Sequence, residues 1–128
     1  MTKPLYHFRS GFERQVYNEA VANAGELEFE PRDKHLFYNR PSQYIPDFVL
    51  SNGIIVECKG RFTSADRTKM LRVRRENPFS DIRFVFQRAN NRLTKSKNSS
   101  TYWEWCERHG FMWAEGNIPV EWLREEPS

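Results

Sequence analysis

The stretch PDFVLSNGIIVECKG, residues 46–60, contains two short apolar runs joined by Ser-Asn-Gly at residues 51–53. This pattern predicts a β-hairpin whose three-residue loop uses Gly53 for a positive φ angle. Such a loop places Phe48 opposite Val56, and one face then carries a set of apolar side chains: Phe48, Leu50, Ile54, Val56 and Cys58. A two-residue turn would scatter them over both faces. The sequence therefore favours the three-residue loop.

The polar residues of the hairpin fall on its other face. Asp47 lies opposite Glu57 in this register, and Lys59 follows two residues later. Two opposed carboxylates repel unless a proton or a cation separates them. Their oxygens suit Mg²⁺ or Mn²⁺, which can polarise a phosphate and make a bound water nucleophilic, while Lys59 steadies that water or the developing negative charge. The cluster predicts a metal-dependent nuclease; the alternative is that both acids only keep a strand edge soluble, paired with Lys59 and nearby arginines.

The positive charge of the chain is concentrated in one segment. Residues 59–97 hold 12 basic and three acidic residues, a net charge of +9, whereas the rest of the chain carries −6. A block of this kind suits a polyanion, because each neutralised phosphate releases counterions. A solvated basic helix face is the alternative explanation.

The composition excludes several classes of protein. With 128 residues, 38% of them hydrophobic and 15% aromatic, the chain is expected to form one folded domain. No apolar run approaches the roughly 20 residues of a membrane helix, so no membrane association is expected. Cys58 and Cys106 have neither metal-ligand nor disulfide spacing, which indicates a reducing compartment.

The rest of the sequence alternates between helical and strand patterns. Capping boxes begin at Ser10 and Thr101, Thr63 can cap another helix, and Gly110 suits a helix end. We predict helices over residues 10–24, 64–76 and 102–109, strands over 26–30, 47–50, 54–59, 82–87 and 111–114, and a helical turn over 119–123. Residues 31–46 contain three prolines and are predicted to form an extended arm. This order predicts an α/β fold with a mixed central β-sheet flanked by helices.

Several motifs, in one order and at similar separations, make the sequence resemble a known family. They are FRSGFE at residues 8–13, IPDFVLSNGIIVECKG at 45–60, DIRFVF at 81–86, WCERHGFMWA at 105–114 and IPVEWL at 118–123. The chain resembles the phage endonuclease I family, the phage-type Holliday-junction resolvases of the PD…(D/E)xK nuclease superfamily. The resemblance covers roughly residues 8–123.

The resemblance implies an active site that matches the hairpin cluster and adds one residue. Its catalytic residues would be Glu13 from FRSGxE, Asp47, Glu57 and Lys59. The metal ligands would be Asp47, Glu57, Glu13 and the backbone carbonyl of Cys58, with two Mg²⁺ or Mn²⁺ ions per site. From the residues alone, Glu13 needs no metal, because it completes a capping box.

The resemblance also implies an architecture: a restriction-endonuclease-like core in an intertwined, domain-swapped homodimer. Residues 1–128 would form a single nuclease domain in which residues 1–30 are exchanged between chains. Residues 31–46 would be the extended bridge, and residues 47–123 the catalytic core. Glu13 would then meet Asp47 and Glu57 of the partner chain.

The implied activity is cleavage of branched DNA, above all four-way junctions, giving 5′-phosphate and 3′-hydroxyl ends. A phage-encoded enzyme of this kind would act in the bacterial host cytoplasm. Basic residues of the charged segment are candidates for phosphate contacts. They are Arg67, Lys69, Arg72, Arg74, Arg75, Arg88, Arg92, Lys95 and Lys97. Two alternatives remain open: a nuclease of the same superfamily that cuts linear duplex DNA, and a noncatalytic protein that binds branched DNA.

Overall fold

The computed structural model describes residues 11–24, 36–37 and 43–127. The helices are α1 (Gly11–Ala24), α2 (Ser64–Glu76), α3 (Tyr102–His109) and α4 (Val120–Arg124). The strands are β1 (Leu36–Phe37), β2 (Gln43–Tyr44), β3 (Phe48–Val49), β4 (Ile55–Lys59), β5 (Ile82–Phe86) and β6 (Met112–Glu115). The strand predicted over residues 26–30 and much of the arm predicted over 31–46 lie outside the described residues.

Four strands form a mixed sheet in the order β3-β4-β5-β6. The hairpin pair β3/β4 is antiparallel, whereas β4/β5 and β5/β6 are parallel. Parallel neighbours need a crossover connection, and α2 and α3 supply the two crossovers. The prediction of an α/β fold with a mixed sheet and flanking helices is confirmed.

The sheet is buried on both faces by two separate apolar cores. On one face, Met70 of α2 and Trp105 of α3 pack in a core that includes Phe84 of β5. On the other face, Val16 of α1 and Trp122 of α4 pack against the hairpin and β5. Because helices cover both faces, all five residues of β5 are buried.

The hairpin has the predicted register. Phe48 pairs with Val56, and the Leu50 N–H donates to the Ile54 carbonyl at 2.8 Å. Gly53 has a φ of 92°, which favours glycine. The three-residue loop is therefore confirmed, and the apolar side chains predicted to share one face all lie in the core on the α1 side.

The helix caps predicted at Thr63, Thr101 and Gly110 form, whereas the one predicted at Ser10 lies outside the described residues. Thr63 and Asp66 make a complete capping box at the start of α2, and Thr101 and Glu104 make another at the start of α3. Gly110 ends α3 in the left-handed conformation, with a φ of 75°. Among the described residues, no helix is long and apolar enough to span a membrane.

Arg83 is a basic residue that the structure uses internally. It lies on β5 and is only 4% exposed. Its Nη2 donates to Asp81 at 2.8 Å and to Glu125 at 3.0 Å, and its guanidinium lies 5.2 Å from the Trp122 ring centre. The two carboxylates neutralise Arg83, so its charge does not contribute to a surface for a polyanion.

Part of the predicted arm is paired. β1 and β2 are antiparallel, with Leu36 opposite Tyr44 and Phe37 opposite Gln43. The three prolines of residues 31–46 lie outside these two strands, so they do not interrupt this short ladder. Whether residues 31–46 bridge two chains stays a prediction.

Candidate active site

The predicted acidic pair lies at the end of the hairpin away from its loop. Asp47 directly precedes β3, and Glu57 lies in β4 opposite it in the observed register. The Cys58 N–H donates to Asp47 Oδ2 at 2.9 Å, which holds the aspartate against β4. Lys59 ends β4 two residues after Glu57. The structure therefore brings Asp47, Glu57 and Lys59 together, beside the carboxyl ends of two parallel strands.

This cluster is shielded from water. Glu57 is 3% exposed, and Asp47 and Lys59 are half-buried. A buried carboxylate is costly unless cations or hydrogen bonds compensate it. Lys59 contributes one positive charge to a group of acids, and a divalent cation would add to that compensation.

Glu13 reaches the same region from α1. It is 7% exposed, and α1 packs against β4. Burial raises the pKa of the Cys58 thiol, and the charges of Asp47, Glu57 and Glu13 raise that pKa further. The thiol therefore lies within the electrostatic field of all three carboxylates. Within the single chain, Glu13 approaches the site of its own chain, and its approach to a partner's site stays a prediction.

The donor chemistry of the site fits magnesium or manganese. Mg²⁺ is usually held by one or two carboxylates and keeps several waters. Asp47 and Glu57 can supply such a pair, and the Cys58 carbonyl lies between Glu57 and Lys59 in sequence. Across the described ranges, no three His, Cys, Asp or Glu side chains are grouped so that they could hold a metal ion together. The observed arrangement thus fits an ion completed by water better than a closed cage of protein ligands.

Asp66 belongs to the site, although the sequence predicted only that Thr63 caps the helix that begins here. Its Oδ1 lies 3.5 Å from Lys59 Nζ, and its Oδ2 accepts a hydrogen bond from the Thr63 N–H at 3.0 Å. Partial burial raises the pKa of Asp66, but the Thr63 hydrogen bonds and the Lys59 charge outweigh it and leave the pKa lowered. The topology could have indicated this contact, because a crossover helix starts beside the end of the strand that precedes it, and Lys59 ends β4.

Several cations on α2 make contacts within the chain. Arg67 Nη1 donates to the Phe62 carbonyl at 2.7 Å. Arg74 donates to the His109 carbonyl, and its guanidinium lies 4.1 Å from the Phe111 ring centre. Lys69 Nζ lies 5.5 Å from the centre of a buried tyrosine ring, that of Tyr44. These three predicted DNA contacts thus also stabilise the fold.

The remaining predicted DNA contacts differ in exposure. Arg72 is half-buried on α2, whereas Arg75 is exposed near the end of that helix. In the loop that follows β5, Arg92 Nη1 donates to the Ser99 carbonyl at 2.7 Å. The other three loop cations are exposed; they are Arg88, Lys95 and Lys97. Contact of any of these residues with DNA stays a prediction.

Comparison with known proteins identifies the family of this chain. The family model described as Phage endonuclease I matches residues 2–128. The chain belongs to the phage endonuclease I family. This confirms the resemblance that the sequence motifs indicated.

Two phage proteins are similar in sequence to this member of the phage endonuclease I family. The chain is 40% identical over 121 residues to Endonuclease I of Escherichia phage T7. This alignment covers 92% of this chain and 79% of the relative. The chain is also 38% identical over 126 residues to Endodeoxyribonuclease 1 of Enterobacteria phage T3. That alignment covers 92% of this chain and 78% of the relative. The similarity therefore extends over the described site and both cores.

Proposed function

We propose that this phage endonuclease I family member is a structure-selective DNA endonuclease. It resolves Holliday junctions and other branched DNA by divalent-metal-dependent hydrolysis, which gives 5′-phosphate and 3′-hydroxyl ends. Family membership supports the coarser part, an endonuclease, and the relative from phage T3 is named as a deoxyribonuclease. The observation that carries the chemistry is the cluster of the buried Glu57 with the half-buried Asp47 and Lys59.

Asp47 and Glu57, with the Cys58 carbonyl, would hold the metal. The hydrogen bond from the Cys58 N–H keeps Asp47 opposite Glu57, so the two carboxylates are positioned before substrate binds. A bound Mg²⁺ or Mn²⁺ supplies Lewis-acid polarisation of the phosphate and a lowered pKa for water. Glu13, whose charge reaches the Cys58 thiol, adds negative potential that favours cation binding.

Lys59 acts on the reacting phosphate. Its ammonium group is half-buried and lies 3.5 Å from Asp66, so it is kept near the carboxylate pair. In the hydrolysis, a water oxygen forms a bond to phosphorus and loses a proton. The bond from phosphorus to the 3′ oxygen breaks, and that oxygen takes up a proton. Lys59 stabilises the extra negative charge on the phosphate oxygens during this exchange.

A homodimer would give the enzyme two active sites for paired cuts across a junction. We include in the proposal that α1 is exchanged, so that Glu13 completes the site of the partner chain. The support is that α1 packs on one face of the sheet as a separate layer, with contacts to β4 and α4, and precedes all four strands of that sheet in the chain. Selection of branched DNA then depends on shape and phosphate placement more than on bases.

Cleavage of a synthetic four-way junction and of a linear duplex of the same sequence tests the proposal. We expect paired cuts near the branch point in Mg²⁺ and none in EDTA. Glu57→Gln should reduce the rate by at least about 100-fold. Glu76→Gln is the matched control, because Glu76 is exposed at the end of α2.

The other outcomes identify the alternatives. Equal cutting of junction and duplex would indicate a linear-duplex nuclease and refute the structure selectivity. Tight junction binding without cleavage in any metal, unchanged by Glu57→Gln, would refute the enzyme and leave a binder of branched DNA.

A further inference from the structure

We propose that residues 88–100, the basic loop, are a preformed binding element for the DNA backbone beside the active site, with Arg88, Lys95 and Lys97 as its phosphate contacts. The inference rests on the proposed function, because it names the part of the protein that holds DNA next to that site. It also separates these three cations from the basic residues that serve the fold.

The basic loop leaves the sheet next to Lys59. β4 and β5 run parallel with Lys59 opposite Phe86, and the Gln87 N–H donates to the Lys59 carbonyl at 3.0 Å. Adjacent strands are about 4.8 Å apart, so the loop starts within one strand spacing of the Lys59 backbone. A nucleic acid whose scissile phosphate lies at Asp47 and Glu57 therefore has the basic loop at its side.

The loop has a defined shape of its own. The Leu93 N–H donates to the Ser100 carbonyl at 2.8 Å, and the Thr94 N–H donates to Ser99 Oγ at 3.2 Å. Leu93 packs against the core, and Trp103 Nε1 donates to Asn90 at 2.9 Å. A loop that is ordered before binding does not lose that conformational entropy on association. The lysines are therefore presented from a fixed backbone.

The charge of the loop is uncompensated within it. Residues 88–100 contain four basic residues and no acidic residue. Arg92 is engaged with the Ser99 carbonyl, whereas the side chains of Arg88, Lys95 and Lys97 are exposed and form no ion pair within the described part of the chain. Exposed cations that need not break an internal contact are the ones available to phosphates.

Several other cations of the charged segment are less available. Arg83 is buried with two carboxylates, and Arg67 and Arg74 donate to backbone carbonyls. Arg75 is exposed, but it lies near the end of α2, and α2 runs back from the Lys59 end of the sheet. Position and internal bonding together favour the basic loop.

The first test changes charge at two places by the same amount. Lys95→Gln with Lys97→Gln is compared with Arg14→Gln with Arg124→Gln, a control pair of exposed cations on α1 and α4. Affinity for a four-way junction is measured in EDTA, which prevents metal-dependent cleavage, from about 50 to about 200 mM salt. Circular dichroism confirms that each variant is folded.

Each lost phosphate contact lowers the slope of log affinity against log salt by about 0.7–0.9. We expect the loop variant to lose about 1.4–1.8 from this slope and the control pair to keep the wild-type slope. Equal loss in both variants would show a nonspecific effect of net charge and overturn the assignment. An unchanged slope in the loop variant would also overturn it.

A second test leaves the charge unchanged. Ser99→Ala removes the acceptor of the Thr94 N–H and the donor to the Thr94 carbonyl, and Ser80→Ala, in the turn before β5, is its control. We expect Ser99→Ala to bind the junction about threefold to tenfold more weakly. Without the Ser99 side chain the loop is less ordered in the free protein, so binding must order it at a cost of about 1 kcal/mol. Wild-type affinity for Ser99→Ala would refute the preformed loop.

Failure of this inference is distinct from failure of the proposed function. If the wild-type protein cuts junctions and the loop variant binds like wild type, only the inference is overturned. If the wild-type protein neither binds nor cuts junctions, both fall together.

Discussion

Lys59 and Asp66 form an ion pair, 3.5 Å between Nζ and Oδ1, that joins the end of β4 to the first turn of α2. The second oxygen of Asp66 accepts the Thr63 N–H at 3.0 Å. One carboxylate thus caps a helix and positions a lysine of the candidate active site. An ion pair of two half-buried groups adds little to stability, so its significance lies in where it holds the ammonium group.

Asp66→Asn should lower the cleavage rate while the protein stays folded and bound to DNA. Asparagine can still accept the Thr63 N–H, but it no longer attracts Lys59. Misplacement of a catalytic group by about 1 Å can cost about 100-fold, so we expect a fall in kcat of about 10- to 100-fold with little change in Kd. Single-turnover cleavage and junction binding measure the two quantities. A wild-type kcat would show that Lys59 needs no such support.

Mixing two inactive variants tests the exchange of α1. If Glu13 completes the partner's site, a heterodimer of Glu13→Gln and Glu57→Gln chains contains one intact site and one doubly changed site. We expect each homodimer to be inactive and the unfolded and refolded mixture to nick junctions. If Glu13 serves its own chain, every site in the mixture carries one change and no activity returns. Single chains in light scattering would likewise contradict the exchange.

The link between Arg83 and Glu125 should make stability depend on pH. The hydrogen bond from Arg83 lowers the pKa of Glu125 below its ordinary value of 4.5. The pair therefore stabilises the fold above about pH 4.5, and this contribution is lost as pH falls through the lowered pKa. Glu125→Gln should flatten the decline in unfolding free energy between about pH 6 and about pH 3, measured in urea. The control is Glu121→Gln, because Glu121 is exposed on α4, close to Glu125 in the chain; an equal effect there would refute the assignment.

Gly53→Ala should destabilise the hairpin through the backbone alone. Gly53 has a φ of 92°, and a Cβ there would have no atom within 4 Å. Residues with a side chain disfavour such a φ by about 1–2 kcal/mol, so we expect a loss of that size in chemical unfolding. Gly11→Ala is the control, since Gly11 is helical with equal space around it and alanine favours helices. Equal losses at both positions would exclude the φ explanation.

The features predicted from sequence are those whose determinants lie close together in the chain. The hairpin register follows from Gly53 and from alternation over a dozen residues, and both were confirmed. The caps at Thr63 and Thr101 need only a threonine and an acid three residues later. Asp47, Glu57 and Lys59 came together because one hairpin carries them.

The features that sequence reasoning missed depend on distant partners. Arg83 was counted with the other basic residues of the charged segment, and its burial follows from Glu125, which lies 42 residues further along the chain. Asp66 had a complete local explanation, so nothing in the pattern indicated its contact with Lys59. The β1/β2 pair is too short to leave a periodic signal among prolines.

The distance along the chain between α1 and the strands that it covers has a consequence for protein synthesis. Glu57 follows Glu13 by 44 residues, so α1 leaves the ribosome roughly two to nine seconds before β4 does. During that interval the apolar residues Phe12 and Val16 have no sheet from their own chain to cover. A finished sheet on a neighbouring ribosome of the same message can take its place. We therefore expect the density of ribosomes on the message to influence how often chains assemble with exchanged helices.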